Sequence, residues 1–260
     1  MSKTKVAGLM ERIKKKETVL VAEGFLFEAE RRGYLQAGPF VPIFINDNPE
    51  YLKCLYEEFA KCGSDVVLAF TYYGHRAKLR LIGQEDMVEP LNRKALQIAR
   101  QVADDFGLLM AGNISNSTIY EATPEREKEV YEMFKEQIIW AVEEGADYIL
   151  GETYMDHREA KLAVKAMKEF GKGLPIVVTL NPGDSGKTAD GVEIGASCRE
   201  LEEMGADVVG LNCGLGPEPI LHWMKRLREV CKGPLACLPV PYRCTKEMPT
   251  MFELKDDQGK

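Results

Sequence analysis

The run Met204-Gly205-Ala206-Asp207-Val208-Val209-Gly210-Leu211-Asn212-Cys213-Gly214 decides the fold. A charged stretch of helical period ends at a glycine, which suits the left-handed position just past a helix C-terminus. A small residue and an aspartate follow. Then comes an almost continuously apolar run, the pattern of a parallel strand covered on both faces. The same order recurs at Cys62-Gly63-Ser64-Asp65-Val66-Val67 and at Glu144-Gly145-Ala146-Asp147-Tyr148-Ile149. Three copies of one helix-to-strand turn indicate a repeated unit and give these glycines and aspartates a structural role.

Outward from these copies, apolar runs predict strands over 19–23, 65–73, 108–115, 147–153, 175–181, 207–213 and 235–242. Between them, helical periodicity predicts helices over 48–61, 88–105, 125–144, 156–170, 195–204 and 217–230. The expected class is α/β, a TIM-type (β/α)8 barrel of which about seven βα units are present. No stretch has linker composition, so one barrel domain is expected over 1–260. The polar, glycine-rich segment 181–195 is expected to be a long loop after a strand.

Composition narrows the function. The 260 residues are 45% hydrophobic and 29% charged, which fits a soluble globular chain. A net charge of −7 argues against a nucleic-acid partner, which would want a basic stripe. The one lysine run, Lys14-Lys15-Lys16, is expected on the solvated face of an N-terminal helix. No apolar run approaches the ~18 residues of a membrane span, so no membrane partner is expected. Met1-Ser2-Lys3-Thr4-Lys5 leads into charged sequence, unlike a signal peptide. Seven cysteines are therefore expected to be reduced, in the cytoplasm.

In a parallel barrel the chemistry gathers at the C-terminal ends of the strands. Those ends carry Glu23, Thr71-Tyr72-Tyr73, Asn113, Glu152-Thr153, Asn181, Asn212-Cys213 and Tyr242. Cys213 could serve as nucleophile or metal ligand through its thiolate, or be a small buried hydrophobe. Glu152 could hold an amine or act as a base, or form a salt bridge. Tyr72, Tyr73 and Phe40 could build an aromatic wall for a quaternary ammonium group, or simply pack. His75, His157 and His222 are isolated and read as surface or helix-start residues.

Six stretches resemble the betaine–homocysteine S-methyltransferases of the zinc-dependent homocysteine S-methyltransferase family. They are Gly24–Phe40 (GFLFEAERRGYLQAGPF), Ala69–Leu79 (AFTYYGHRAKL), Ile98–Asp104 (IARQVAD), Ala111–Ser115 (AGNIS), Gly145–Thr153 (GADYILGET) and Gly205–Gly214 (GADVVGLNCG). The resemblance implies a homocysteine-binding barrel with catalytic Cys213, Glu152 and Tyr73. It makes Cys213 the first of three zinc cysteines, Glu152 the acid on the homocysteine amine, and Tyr73 the tyrosine beside the methyl donor. Glu23, Gly24, Phe40, Tyr72, Thr153 and Asn212 complete the implied substrate-binding set.

This chain also departs from the family pattern. Phe40 stands where betaine enzymes often carry tryptophan, and Thr153 where some carry a second tyrosine. The first strand ends Ala22-Glu23-Gly24 instead of Asp-Gly-Gly, so Glu23 can replace the aspartate only where the strand has given way to a loop. The other two zinc cysteines of the family, an adjacent pair in the motif that ends the eighth strand, have no counterpart. The last strand and helix are therefore expected to be missing, and the chain to be a fragment or short form lacking about 50 residues. Cys237 and Cys244 are candidates to approach Cys213 in their stead.

The resemblance further implies small-molecule substrates, homocysteine and betaine, with methionine and dimethylglycine as products. It implies a zinc-held homocysteine sulfur as the attacking group. An S-methylmethionine-type donor and a non-catalytic relative without zinc remain open. So does a barrel lyase or aldolase using Glu152 with Lys187 or Cys213, although no strand end carries a Schiff-base lysine. Oligomers are common in the family, which makes a homo-oligomer an expectation.

Overall fold

The computed structural model of the chain describes residues 6–35 and 41–255. Its strands are β1 (Val21–Ala22), β2 (Val66–Leu68), β3 (Leu109–Ser115), β4 (Tyr148–Tyr154), β5 (Ile176–Leu180), β6 (Val208–Asn212) and β7 (Leu235–Leu238). They follow one another in the sheet in chain order. Its helices are α1 (Leu9–Lys14), α2 (Phe25–Arg31), α3 (Phe44–Asp47), α4 (Pro49–Lys61), α5 (Arg76–Arg80) and α6 (Val88–Phe106). They continue with α7 (Pro124–Glu143), α8 (His157–Phe170), α9 (Ile194–Glu203) and α10 (Pro217–Val230). This is the alternating order of a TIM-type chain with seven strands, and no eighth strand follows β7 among the described residues.

Two compact units are present: Met1–Leu150 with Ala166–Pro175, and Gly151–Lys165 with Ile176–Lys260. In the first, β1 pairs in parallel with β2 (Val21 opposite Val66), and β2 with β3 (Val66 opposite Leu109). In the second, β5 pairs with β6 (Val177 opposite Val208), and β6 with β7 (Val209 opposite Leu235). Every residue of β2 to β6 is buried, which explains the unbroken apolar runs. The long helices bury one face each. On α6 that face is Leu91, Ala95, Leu96, Ala99 and Val102, at helical spacing. Pro49, Pro124 and Pro217 open α4, α7 and α10, where the absent N–H costs nothing.

The repeated turn behaves as its sequence implies. Gly63, Gly145 and Gly205 all take positive φ, at 99°, 81° and 108°. The aspartate after each closes a two-way clasp on the strand before. The Asp65 carboxylate accepts from Leu20 N, Asp147 from Met110 N and Asp207 from Ile176 N, at 2.7–2.8 Å. Each aspartate N–H donates back to the carbonyl of the same residue, at 2.8 Å in every case. The motif thus locks β1 to β2, β3 to β4 and β5 to β6 at their entrances.

Asp65 also takes Arg12 Nη2 at 2.7 Å. Burial alone would push its carboxyl upward, but the Leu20 N–H and the Arg12 guanidinium outweigh it and hold the pKa below the usual value. The folded pKa is the lower one. The stabilisation is therefore complete above the unfolded value, about 3.9, and is lost as pH falls through the folded value. Asp65→Asn is expected to cost about 1–2 kcal/mol at pH 7, with the gap to wild type narrowing below about pH 4. Urea unfolding at pH 7 and pH 3 checks it; a gap independent of pH rules the carboxylate out as its source.

Strand β1 is confined to Val21–Ala22, and two further strands stop at least four residues before the expected end. The run 65–73 is strand only over Val66–Leu68, because Thr71 N turns back to Ala69 O and Gly74 N to Thr71 O. The run 235–242 is strand only over Leu235–Leu238, after which Val240 N bonds Leu215 O. No helix among the described residues is long and apolar enough to cross a membrane.

Candidate functional site at the strand ends

Three residues just past β2, within the end of β4 and just past β6 share an uncommon backbone. Tyr73 has φ 58°, Thr153 φ 63° and Cys213 φ 63°. Left-handed φ is uncommon outside glycine and a true outlier for a β-branched residue such as Thr153. Such strain gathers at functional sites, where the surroundings must hold it in place.

In the first unit, Thr71-Tyr72-Tyr73-Gly74 forms a four-residue turn closed by Gly74 N to Thr71 O at 2.9 Å. Tyr73 occupies the third position, which a type II turn ordinarily gives to glycine. Two buried amides from the helices behind it hold the turn. Asn92 of α6 donates to Gly74 O (2.6 Å), and Gln137 of α7 donates to Thr71 O (3.2 Å) and to Asn92 Oδ1 (2.9 Å). Tyr73 N reaches Ser115 Oγ at 3.3 Å. The Tyr72 and Tyr73 rings lie 4.3 Å apart, and Lys78 Nζ sits 4.1 Å from the Tyr73 ring centre. The face of Tyr73 therefore already carries a cation.

Glu23 follows the end of β1, and Gly24, at φ 83°, starts α2. The strand has thus given way before Glu23, as its substitution for the family aspartate requires. Phe40 lies outside the described residues.

In the second unit, Glu152 and Thr153 are buried near the end of β4. Asn212 pins Thr153 at both ends: Thr153 N donates to Asn212 Oδ1 (3.1 Å), and Asn212 Nδ2 donates to Thr153 Oγ1 (2.6 Å). Next to Asn212, Cys213 N bonds Leu238 O. Gly214 lies so close to Asn181 that a Cβ there would stand 2.7 Å from Asn181 Oδ1. The sequence thus brings Thr153, Asn181, Asn212 and Cys213 to one place.

A zinc site requires three or four ligands. Among the described residues, no group of three His, Cys, Asp or Glu side chains could hold a metal ion. Cys213 Sγ faces the Met251 thioether at 3.9 Å, Cys244 Sγ accepts from Gly216 N, and Cys237 is exposed on β7. The donor set present does not fit zinc.

Of the other candidates, His157 and Lys187 have side-chain partners of their own. His157, buried at the start of α8, joins Ser197 Oγ (2.7 Å) and Glu200 Oε2 (2.9 Å) on α9. His75 precedes α5 and is buried, which pushes its pKa down to about 3 and keeps it neutral. Lys187 is half-exposed and pairs with Glu193 at 3.3 Å, in the loop that follows β5. Nothing in the residue pattern marks Asn92 and Gln137, which look like ordinary polar helix positions.

A family model described as homocysteine S-methyltransferase matches residues 24–252. Betaine–homocysteine S-methyltransferase 1 of Sus scrofa is 34% identical over 226 residues, covering 85% of this chain and 80% of that protein. The Mus musculus protein of the same name is also 34% identical, but the matched region is 54% of its length. The chain thus spans little more than half of the mouse relative. Among solved structures, the metallated form of the homocysteine methyltransferase MmuM from Escherichia coli superposes with a TM-score of 0.76 at 16% identity. The match covers 88% of this chain and 85% of that one.

Proposed function

The chain belongs to the homocysteine S-methyltransferase family, and on that premise we propose that it binds homocysteine and a betaine-type methyl donor for methyl transfer to sulfur. The observation that carries the reading is the left-handed strain at Tyr73, Thr153 and Cys213, the positions where the family resemblance places donor, substrate and thiol chemistry.

The reaction forms a sulfur–carbon bond and breaks a carbon–nitrogen bond in line. The electron pair of the broken bond stays on nitrogen. With betaine the products are methionine and dimethylglycine. The reactive form of the substrate is the thiolate, a few per cent of a free thiol near neutral pH. One thiol at Cys213 is no zinc site, and the chemistry proposed for these residues does not pass through a metal. Each residue's contribution is positional. The Glu152 carboxylate suits the homocysteine ammonium, and the Thr153–Asn212 pair fixes the backbone beside it. The Tyr73 ring suits the onium group of the donor. Thr153 brings no second aromatic face, which leaves a sulfonium donor as a competing substrate.

The test is methionine formation by the purified chain from homocysteine with betaine or S-methylmethionine, together with binding of each. Tyr73→Ala is expected to raise the donor KM about tenfold, with Tyr73→Phe near wild type. Glu152→Gln is expected to raise the homocysteine KM about tenfold or more. A wild-type chain that makes no methionine and binds neither homocysteine nor a donor rules the proposal out.

A further inference from the structure

Asn113 ends the AGN run of β3 and is 2% exposed, yet neither its Nδ2 nor its Oδ1 has a hydrogen-bond partner among the described residues. Buried amides are ordinarily paired, because each unmade bond costs the full desolvation of that atom. Helix packing does not demand an amide here. A Cβ on Gly112 would press on Ala141 of α7 at 2.5 Å, so Gly112 faces the helices. Strand alternation then turns Ala111, Asn113 and Ser115 to the opposite face. On that face Ser115 Oγ holds the Tyr73 backbone N–H, and the backbone carbonyl of Asn113 accepts from Thr71 Oγ1 at 2.7 Å. Asn113 thus lies beside the turn that carries Tyr73, and its side-chain amide has one donor group and one acceptor unspent among the described residues.

The geometry points to Asn113 as a binding residue for the α-amino-acid end of the thiol substrate, an inference that rests on the function proposed above. Nδ2 needs an acceptor and Oδ1 needs a donor. An α-amino acid supplies both, a carboxylate and an ammonium. A quaternary ammonium carboxylate such as betaine has no N–H and leaves Oδ1 unmatched. The amide therefore discriminates for the amino acid and against the methyl donor as its ligand. A group kept unsatisfied for a ligand also lowers the stability of the free protein, so its removal acts oppositely on binding and on stability.

Calorimetric titration with L-homocysteine and, separately, with betaine tests this, alongside the melting temperature of the free chain. The variants are Asn113→Ala and Asn113→Leu, the second keeping the volume of the side chain. The expected result is an L-homocysteine Kd raised about tenfold or more in both variants. The betaine Kd stays unchanged, and the free chain melts at the wild-type temperature or higher. L-homocysteine binding unchanged in both variants, with a lower melting temperature, would mean that the amide serves the fold or an internal water, and overturns the assignment alone. Equal weakening toward betaine and homocysteine overturns it too. A wild-type chain that binds no L-homocysteine overturns the proposed function and this assignment together.

Discussion

Gly112→Val is expected to destabilise the chain by about 3 kcal/mol or more, with Gly112→Ala at about 1–3 kcal/mol. Helix α7 lies directly on β3 at this residue. An added Cβ would stand 2.5 Å from Ala141 Cβ, 3.1 Å from Ile149 Cδ1 and 3.5 Å from Ala146 Cβ. All three partners are fully or almost fully buried, so none can swing away into solvent. The conflict resolves only if α7 lifts from the sheet, which loosens Phe134, Ile138 and Ala141 together. Gly112 is not in the left-handed region, so backbone strain contributes nothing and the cost is steric. Urea unfolding of the graded series measures it. Equal stability of the glycine, alanine and valine forms would show that the helix does not sit where it is described.

Asn92→Leu is expected to cost about 2–4 kcal/mol and to weaken methyl-donor binding about tenfold. Both effects follow from one side chain. Asn92 is fully buried on α6, donates to Gly74 O and Val88 O, and accepts from Gln137. Leucine has similar volume but leaves Gly74 O and a Gln137 donor without their partner. The Tyr73 turn then loses a restraint that offsets its left-handed strain, and the ring is no longer held toward its ligand. The double change Asn92→Leu with Gln137→Leu removes both amides. It is expected to recover part of the stability, because an apolar pair leaves fewer orphaned side-chain groups. It is expected to recover none of the donor affinity. Chemical unfolding and donor titration on the three variants separate the two effects. Donor affinity that tracks stability in all of them would refute a positioning role for Asn92.

The six helices expected from periodicity are present to within one residue at either end, and α10 coincides with its expected bounds. This accuracy has a local origin. Prolines open α4, α7 and α10, and glycines in the left-handed region follow α4, α6, α7 and α9. The strand entrances were legible for the same reason, since the aspartate clasp is written into each repeat. The exits of β2 and β7 were not, while the other five strands end within one residue of expectation. Apolar and aromatic residues continue from Val66 through Phe70 to Tyr73, and nothing in their order says that the chain turns at Thr71. That turn depends on Asn92 and Gln137, which lie in two helices more than 15 residues away in sequence.

The sequence by itself determined the order of elements, the repeated helix-to-strand turns and the family with its strand-end residues, because each depends on residue type at short spacing. Only the tertiary structure decided that Tyr73, Thr153 and Cys213 are strained, that two helix amides hold Tyr73, and that the Asn113 amide is buried without a partner among the described residues. It also decided that Cys213 faces a methionine and not a ring of ligands. These are properties of distant side chains that share one place, and a hydrogen bond made or left unmade across such distances leaves no period in the chain.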